Sequence, residues 1–222
     1  MTADGLLAQV ACKKATKEAI ADRIARKPVL LPEIVNGLGA DQAPIKYGCL
    51  KVLRLLSEKK PAILYPKIGH FFSLLDSDNT FLKWGAIIVV GNLAAVDSKR
   101  KIDAILGRYL QPIGGPVMIT AANVIGSAAK IAAAKPELAD KIARALLKVE
   151  RAEYQTAECR NVALGHAIEA FDQFFDQLKA KQAVLAFVRR QRSNHRSAVR
   201  KKAAAFLKRR EQEPTARRSR AK

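Results

Sequence analysis

The sequence predicts an all-α fold, an α-solenoid of about five helical hairpins. Two observations favour it: paired helical patterns recur with a period in the high thirties, and alternating strand patterns are scarce. The clearest pair spans residues 61–96, PAILYPKIGHFFSLLDSDNTFLKWGAIIVVGNLAAV, with an apolar helix, a DSDN turn and a second apolar helix. Neither helix can bury its apolar face alone, so we expect similar hairpins to stack on both sides.

Composition limits the location and the partners. The chain has 222 residues, 40 Lys and Arg against 20 Asp and Glu, and a formal net charge of +20. Such a charge attracts acidic proteins, nucleic acid or anionic membranes. The cysteines at 12, 49 and 159 are too few and too scattered for a disulfide framework, and the N-terminus lacks the pattern of a signal peptide. We therefore expect a cytoplasmic protein, or a nuclear one in a eukaryote.

The N-terminal part begins with a cap helix and two similar hairpins. We expect the cap within residues 1–26 and repeats at about 27–60 and 61–97. The first helix of each repeat carries a proline in a matching context, LLPEIV and LYPKIG, and the second begins KYGCL or KWGAI. These matches predict that the two hairpins have the same structure.

Three more repeats follow at about 98–135, 136–175 and 176–210, so residues 1–210 form a single solenoid. The start of each second helix aligns in one column, occupied by Lys46, Lys83, Met118, Ala157 and Arg200. After the last repeat, residues 211–222 read EQEPTARRSRAK. This segment lacks apolar residues, which predicts a disordered basic tail.

The repeats resemble those of the HEAT-repeat family of armadillo-like α-solenoids. The resemblance rests on a proline near the first helix, an aspartate in the turn and a basic residue at the start of the second helix. Asp41 with Lys46 and Asp78 with Lys83 show the last two features, and AVRKKAAAFL in the fifth repeat resembles the same second-helix pattern. The resemblance implies a non-enzymatic scaffold whose second helices line the concave face. We also expect the two Asp–Lys pairs to form a ladder between neighbouring turns.

The sequence shows no convincing catalytic, metal or cofactor site. The three histidines, at 70, 166 and 195, fall in different repeats. Cys159 and His166 share a helix, but seven residues separate them by about 10 Å, too far for a catalytic dyad. Asp76 and Asp78 suit helix capping better than metal binding. We therefore predict no enzyme, no cofactor and no metal.

Trp84 allows two interpretations. A lone tryptophan in a second helix can stack on a base or anchor a peptide. It aligns with Tyr47 and Ile119, however, which favours a packing role.

The basic C-terminal region is the strongest candidate binding site. From Asp176 to Lys222 there are sixteen Lys and Arg against three Asp and Glu. Within the fifth repeat the candidate polyanion-binding residues are Arg189, Arg190, Arg192, Arg196, Arg200, Lys201, Lys202, Lys208, Arg209 and Arg210. The alternative is a solvated terminal cap, because the last helix of a solenoid needs a polar outer face.

Two functions fit these observations. The first is a scaffold that binds an acidic protein partner on its concave face. The alternative is a nucleic-acid-binding module that contacts phosphates through the basic C-terminal repeat and tail. HEAT-like DNA glycosylases would be a third, enzymatic class, but no set of residues in this sequence matches their aromatic and acidic site.

Overall fold

A computed structural model describes residues 5–12 and 15–219, with side chains placed up to residue 210. Throughout these residues the regular structure is helical, with α-helices joined by short 3₁₀ segments and no strand. The predicted all-α solenoid is confirmed. The chain divides into two compact units, Met1–Ile105 (unit 1) and Leu106–Lys222 (unit 2).

Unit 1 contains seven α-helices and the start of an eighth within the described residues. Their bounds are α1 Leu6–Ala11, α2 Lys17–Arg26, α3 Leu31–Asn36, α4 Ala43–Lys59, α5 Pro61–Leu64, α6 Ile68–Leu74, α7 Thr80–Leu93 and α8 Lys101–Leu110, which crosses into unit 2. The long helices α4 and α7 pack against each other, and α1 and α2 pack on α4. The bounds of the repeats themselves stay a prediction.

Unit 2 continues the same alternation of shorter and longer helices. Its helices are α9 Met118–Ala134, α10 Ala139–Leu147, α11 Ala157–Phe174, α12 Lys181–Arg190 and α13 Ser197–Ser219. Helix α11 packs between α9 and α13. The backbone of 211–219 is helical, where the sequence favours a disordered tail, and 220–222 lie outside the described residues.

Prolines divide the first helix of the early repeats. The sequence predicts one continuous helix after Pro61, but α5 ends at Leu64 and a 3₁₀ turn, Tyr65–Lys67, separates it from α6. Pro66 lies in that turn, because proline has no N–H to donate to the preceding helical turn. Pro32 likewise lies in the first turn of α3, just after a 3₁₀ segment. The first half of each of these repeats is therefore a broken helix.

The predicted Asp–Lys ladder is wrong. Neither Asp41 with Lys46 nor Asp78 with Lys83 forms an ion pair in the described part of the chain. Each aspartate precedes the N-cap residue, so it lies outside the helix and lacks the three- or four-residue spacing that brings side chains together. The cap of α7 is Asn79, not Asp76 or Asp78: its Oδ1 accepts from the Leu82 N–H at 3.1 Å.

Glycines bring the long helices of unit 1 close together. A Cβ added to Gly48 would overlap Val10, and one added to Gly85 would overlap Leu50. The glycine in each KYG or KWG motif therefore lets an earlier helix approach its backbone, α1 at Gly48 and α4 at Gly85. The aromatic residue before each glycine lies on a different part of the helix and reaches the surface.

Phenylalanines fill the core of unit 2. Phe171 lies 5.9 Å from Phe174 and 5.5 Å from Phe187 between ring centroids. Phe175 meets Phe206 edge-on at 5.3 Å. All five rings are almost completely buried, and they join α11 and the turn after it to α12 and α13.

Candidate binding surfaces

Three aromatic side chains of unit 1 form an exposed cluster, the aromatic patch: Tyr47 on α4, and Phe81 and Trp84 on the first turns of α7. Phe81 lies between the other two, with ring centroids 5.4 Å from Tyr47 and 5.7 Å from Trp84, both edge-on. Phe81 is 59% exposed and Tyr47 is 37% exposed, while Trp84 is partly buried. The packing role predicted for Trp84 is only partly met, since its side chain is only partly buried. The residues aligned with it, Tyr47 and Ile119, are both exposed.

Asn79 fixes the position of the patch. Its Nδ2 donates to the Tyr47 hydroxyl at 3.0 Å, while its Oδ1 caps α7. The Ser77 hydroxyl accepts from the Asn79 backbone N–H at 3.1 Å and holds the turn in place. One side chain thus connects α4 to the first turn of α7, and the rings are positioned before any partner arrives.

Two lysines lie next to residues of the aromatic patch in the sequence. Lys46 directly precedes Tyr47, and Lys83 lies between Phe81 and Trp84 in the sequence. Both are partly buried, and within the described residues neither forms an ion pair or a side-chain hydrogen bond. Neither ammonium group therefore has a carboxylate partner among the described residues, and the helical spacing places each lysine at an angle to the neighbouring rings.

Half of the predicted polyanion-binding residues of unit 2 contact carboxylates of the neighbouring helices. Arg190 makes a bidentate pair with Glu150, with nitrogen–oxygen distances of 2.9 and 2.7 Å. Lys202 lies 2.8 Å from Glu169. The remaining pairs are Arg196 with Glu158, Arg209 with Asp172, and Arg210 with Asp172 and Asp176. These cations connect the last two helices to α11 and to the turn after α10.

Arg210 is the most buried of these cations, with a side chain 10% exposed. Its guanidinium carbon lies 4.8 Å from the ring centroid of Phe175 and 5.5 Å from that of Phe206. The stacked rings and two carboxylates hold it in a fixed position. It is a structural contact of α13 and is poorly placed to reach a ligand.

The other five predicted residues remain at the surface. They are Arg189, Arg192, Arg200, Lys201 and Lys208, all exposed. Arg200 donates to the backbone carbonyls of Asn194 and His195, both at 2.8 Å. No ion pair involves any of the five within the described residues.

The histidines and cysteines do not come together. His166 is partly buried on α11 beside Lys202 and 3.7 Å from Glu169; burial and the lysine lower the pKa of its imidazole. Burial raises the pKa of the Cys49 thiol to about 11, which keeps it protonated at neutral pH. No cluster of three or more His, Cys, Asp or Glu able to hold a metal occurs in 5–12 or 15–210. None of the helices described has the length and hydropathy of a membrane span.

Sequence reasoning missed the exposure of the aromatic patch. A usable signal was present: Phe81 follows the cap residue by two positions, in the first turn of a helix whose apolar core positions begin at Leu82. An aromatic residue outside the buried positions of a helix points to a contact surface.

Comparisons with known proteins identify the fold. No protein-family model matches the sequence, and no curated protein matches it. Among solved structures, the chain is similar to a designed armadillo repeat protein in complex with the peptide (KR)4, with a TM-score of 0.62 and 16% identity over 91% of this chain and 89% of that one.

Two further engineered proteins are similar. One is from a set of computationally designed armadillo repeat proteins for modular peptide recognition, with a TM-score of 0.60 and 17% identity over 91% of this chain and 89% of that one. The other is an engineered protein, with a TM-score of 0.54 and 13% identity over 91% and 86%. At these identities the likeness concerns the fold alone, and it agrees with the predicted resemblance: the chain has the fold of an armadillo-like α-solenoid.

Proposed function

We propose that the chain is a non-enzymatic binding scaffold that takes up an acidic protein segment at the aromatic patch of unit 1. The observation that carries this proposal is the exposed ring cluster of Tyr47, Phe81 and Trp84, with two lysines next to it in the sequence that have no carboxylate partner among the described residues. The repeat fold supports a binding scaffold in general, and the patch suggests the chemistry of the partner.

The rings provide the apolar part of the interface. Aromatic residues contribute most to protein interfaces when a partner covers them, because they bury a large area with few rotatable bonds. Phe81 exposes 59% of its surface, so a partner side chain has ring area to cover. An apolar or aromatic residue of the partner segment fits this position.

The lysines determine the charge of the partner. Acidic residues on either side of the apolar anchor would meet Lys46 and Lys83, and such complementarity raises the association rate and selects against basic partners. The similar designed protein was solved with the basic peptide (KR)4. We propose the opposite charge preference for this chain, within the same class of peptide ligands.

The location belongs to the same proposal. All three cysteines are free thiols. Free thiols suit a reducing compartment, so we place the scaffold in the cytoplasm, or in the nucleus of a eukaryotic cell.

Fluorescence anisotropy with labelled peptides tests the proposal. We expect an acidic peptide with regularly spaced phenylalanines, (EEF)4, to bind the full chain more tightly than (EEG)4 or (KR)4. The double variant F81A/W84A should weaken (EEF)4 binding by at least about ten-fold, the effect of losing about 1.4 kcal/mol. K46Q/K83Q should lower the affinity less and reduce its dependence on salt.

Val29 provides the matched control, because it is an exposed apolar residue of unit 1, 83% exposed, on a different turn. V29A should bind (EEF)4 as the unchanged chain does. Equal binding of (EEF)4 and (EEG)4, or unchanged binding by F81A/W84A, would contradict the assignment of the patch.

The second candidate function is a nucleic-acid-binding module that uses the C-terminal repeat and tail. The observation in its favour is the set of five exposed cations that form no ion pair in the described part of the chain. The five others are less available, because they contact carboxylates. Loss of duplex binding in R189Q/R192Q/K201Q/K208Q would support this function, and unchanged binding would rule out these residues as the site.

A further inference from the structure

A row of cations on α10 and the 3₁₀ turn after it forms a second basic surface in unit 2. Lys141, Arg144, Lys148 and Arg151 follow one another at spacings of three, four and three residues, which places them on one face of the helix. All four are exposed, and within the described residues none takes part in an ion pair or a side-chain hydrogen bond. Like charges at these spacings destabilise a helix, so the arrangement favours an anionic ligand.

Two surface depressions lie on either side of this row, and together we call them the α10 groove. One, of about 730 Å³, lies against α8 and the 3₁₀ segment that follows it, and includes Lys141. The other, of about 380 Å³, lies against α12 and includes Arg151 and Arg190. Arg144 and Lys148 line both depressions, so these two side chains lie at the boundary between them.

Glu150, which lines the second depression, and the nearby Asp140 already have partners. Glu150 holds the Arg190 guanidinium and accepts from the Gln191 Nε2 at 3.0 Å. Asp140 accepts from the backbone N–H groups of Lys179 and Ala180, at 3.1 and 3.3 Å. The four cations of α10 therefore differ from the cations of α12 and α13, for which the fold provides carboxylates.

The lining of the groove favours phosphates over a protein segment. Leu110 and Ile113 are 7% and 2% exposed, so they offer little surface to an apolar anchor. The α12 side is lined by the small residues Ala183 and Ala186, which leave room for a backbone to approach. No aromatic residue lines either depression, which excludes base stacking there.

We propose that the α10 groove binds the phosphate backbone of a nucleic acid, without reading its sequence. Lys141 and Arg151 are ten residue steps apart, so the row extends over about 15 Å along α10 and the turn after it. This length covers about four phosphates of one strand, whose axial spacing in a duplex is about 3.4 Å. Lysine and arginine contacts to phosphates fix position and carry no base preference. This surface is separate from the aromatic patch, and its function does not depend on the acidic partner.

The test is fluorescence anisotropy of the full chain with a labelled 20-base-pair DNA duplex across a salt series. We expect R144Q/K148Q to weaken binding by on the order of ten-fold at 0.1 M salt, and to reduce the log–log salt slope by about 1.8. A183E places a carboxylate in the second depression and should also weaken binding. Two duplexes of different sequence should bind equally.

The control R26Q/K27Q removes the same charge from exposed residues of unit 1 and should leave the slope unchanged. Circular dichroism should show that all variants fold. An unchanged slope in R144Q/K148Q, an equal loss in R26Q/K27Q, or no duplex binding by the full chain at 0.1 M salt would overturn the proposal. So would equal competition by poly-L-glutamate, which would indicate an acidic protein ligand. Binding of (EEF)4 by R144Q/K148Q should be unchanged, which separates this test from that of the aromatic patch.

Discussion

The aromatic patch of unit 1 and the phenylalanine core of unit 2 use aromatic residues in opposite ways. In unit 1, Tyr47 and Phe81 reach the surface, and the neighbouring Lys46 and Lys83 have no carboxylate partner among the described residues. In unit 2, the phenylalanines of α11, α12 and α13 are buried, and Arg210 stacks on two of them while it pairs with carboxylates. Tyr47 and Phe81 thus expose ring surface, whereas the phenylalanines of unit 2 and the Arg210 side chain are packed inside it.

Burial and ion pairing limit what composition alone indicates about binding at the C-terminus. Sixteen basic residues after position 175 suggest a polyanion site, yet five of the ten predicted residues contact acidic side chains. Charge in the sequence indicates a partner only where the fold leaves it uncompensated.

The largest expected effect is the difference in stability loss between substituting a buried ring and substituting an exposed ring. F187A in unit 2 should lower the free energy of unfolding by about 3 to 5 kcal/mol, because it leaves a cavity among the other rings. F81A in unit 1 should lower it by less than about 1 kcal/mol, since that ring is already largely in water. Urea unfolding measures both. Similar losses of unfolding free energy in the two variants would contradict the distinction between the exposed and the buried ring.

The next effect concerns the arginines. R210A should destabilise by about 1 to 3 kcal/mol, less than a fully buried pair because Asp172 and Asp176 are partly exposed. R54A, an exposed arginine of α4 without an ion pair among the described residues, should change stability by no more than about 0.5 kcal/mol. Chemical denaturation of both variants checks the difference, and equal values would show that Arg210 is not structural.

Substitution of Trp84 should have a smaller effect on stability, and its size tests whether Trp84 belongs to the core or to the aromatic patch. Because its side chain is only partly buried, W84A should cost about 1 to 2 kcal/mol, below the 3 to 5 typical of a buried tryptophan. A loss of 3 kcal/mol or more in urea unfolding would restore the packing role and weaken the proposed site.

The smallest effect is a pH dependence in unit 2. Burial and Lys202 lower the pKa of His166 below its usual 6.5, so the folded state favours the neutral imidazole. The unfolded chain then binds more protons, and stability is complete above about pH 6.5 and falls as the pH drops below it. We expect a lower melting temperature at pH 5.5 than at pH 7.5, and a smaller drop in H166Q. H195Q removes an exposed histidine of the same unit and serves as the control.

The period of the sequence was sufficient to predict the fold. Helix-length apolar patterns separated by turns need neighbours of the same kind, so the matching KYG and KWG motifs predict stacked hairpins. Local geometry is harder to predict from the sequence than the fold. The sequence predicts one helix through Pro66, but a 3₁₀ turn interrupts it there. Asn79, rather than an aspartate, caps α7. Several residues in one turn can serve as a cap, and the sequence does not say which side chain reaches the free N–H groups.

The sites were less predictable than the fold, because they depend on which charges meet across repeats. Arg196 and Glu158 are 38 residues apart, and Arg190 and Glu150 are 40 apart. The row at Lys141, Arg144 and Lys148 was visible in KIARALLK, but a solvated helix face has the same pattern. Only the positions of Glu150 and Asp140 in the structure show that the nearby carboxylates are already in use.

The hydrogen bonds of Asn79 allow occupancy of the aromatic patch to be followed by NMR spectroscopy. Its amide nitrogen holds the Tyr47 hydroxyl while its oxygen receives the Leu82 N–H, so the two bonds share one rigid amide group. A ligand that moves Tyr47 must also disturb the Leu82 amide, although that residue is buried and out of the ligand's reach. In a nitrogen-15 NMR titration, we therefore expect the backbone amide resonance of Leu82 to shift as a ligand occupies the aromatic patch.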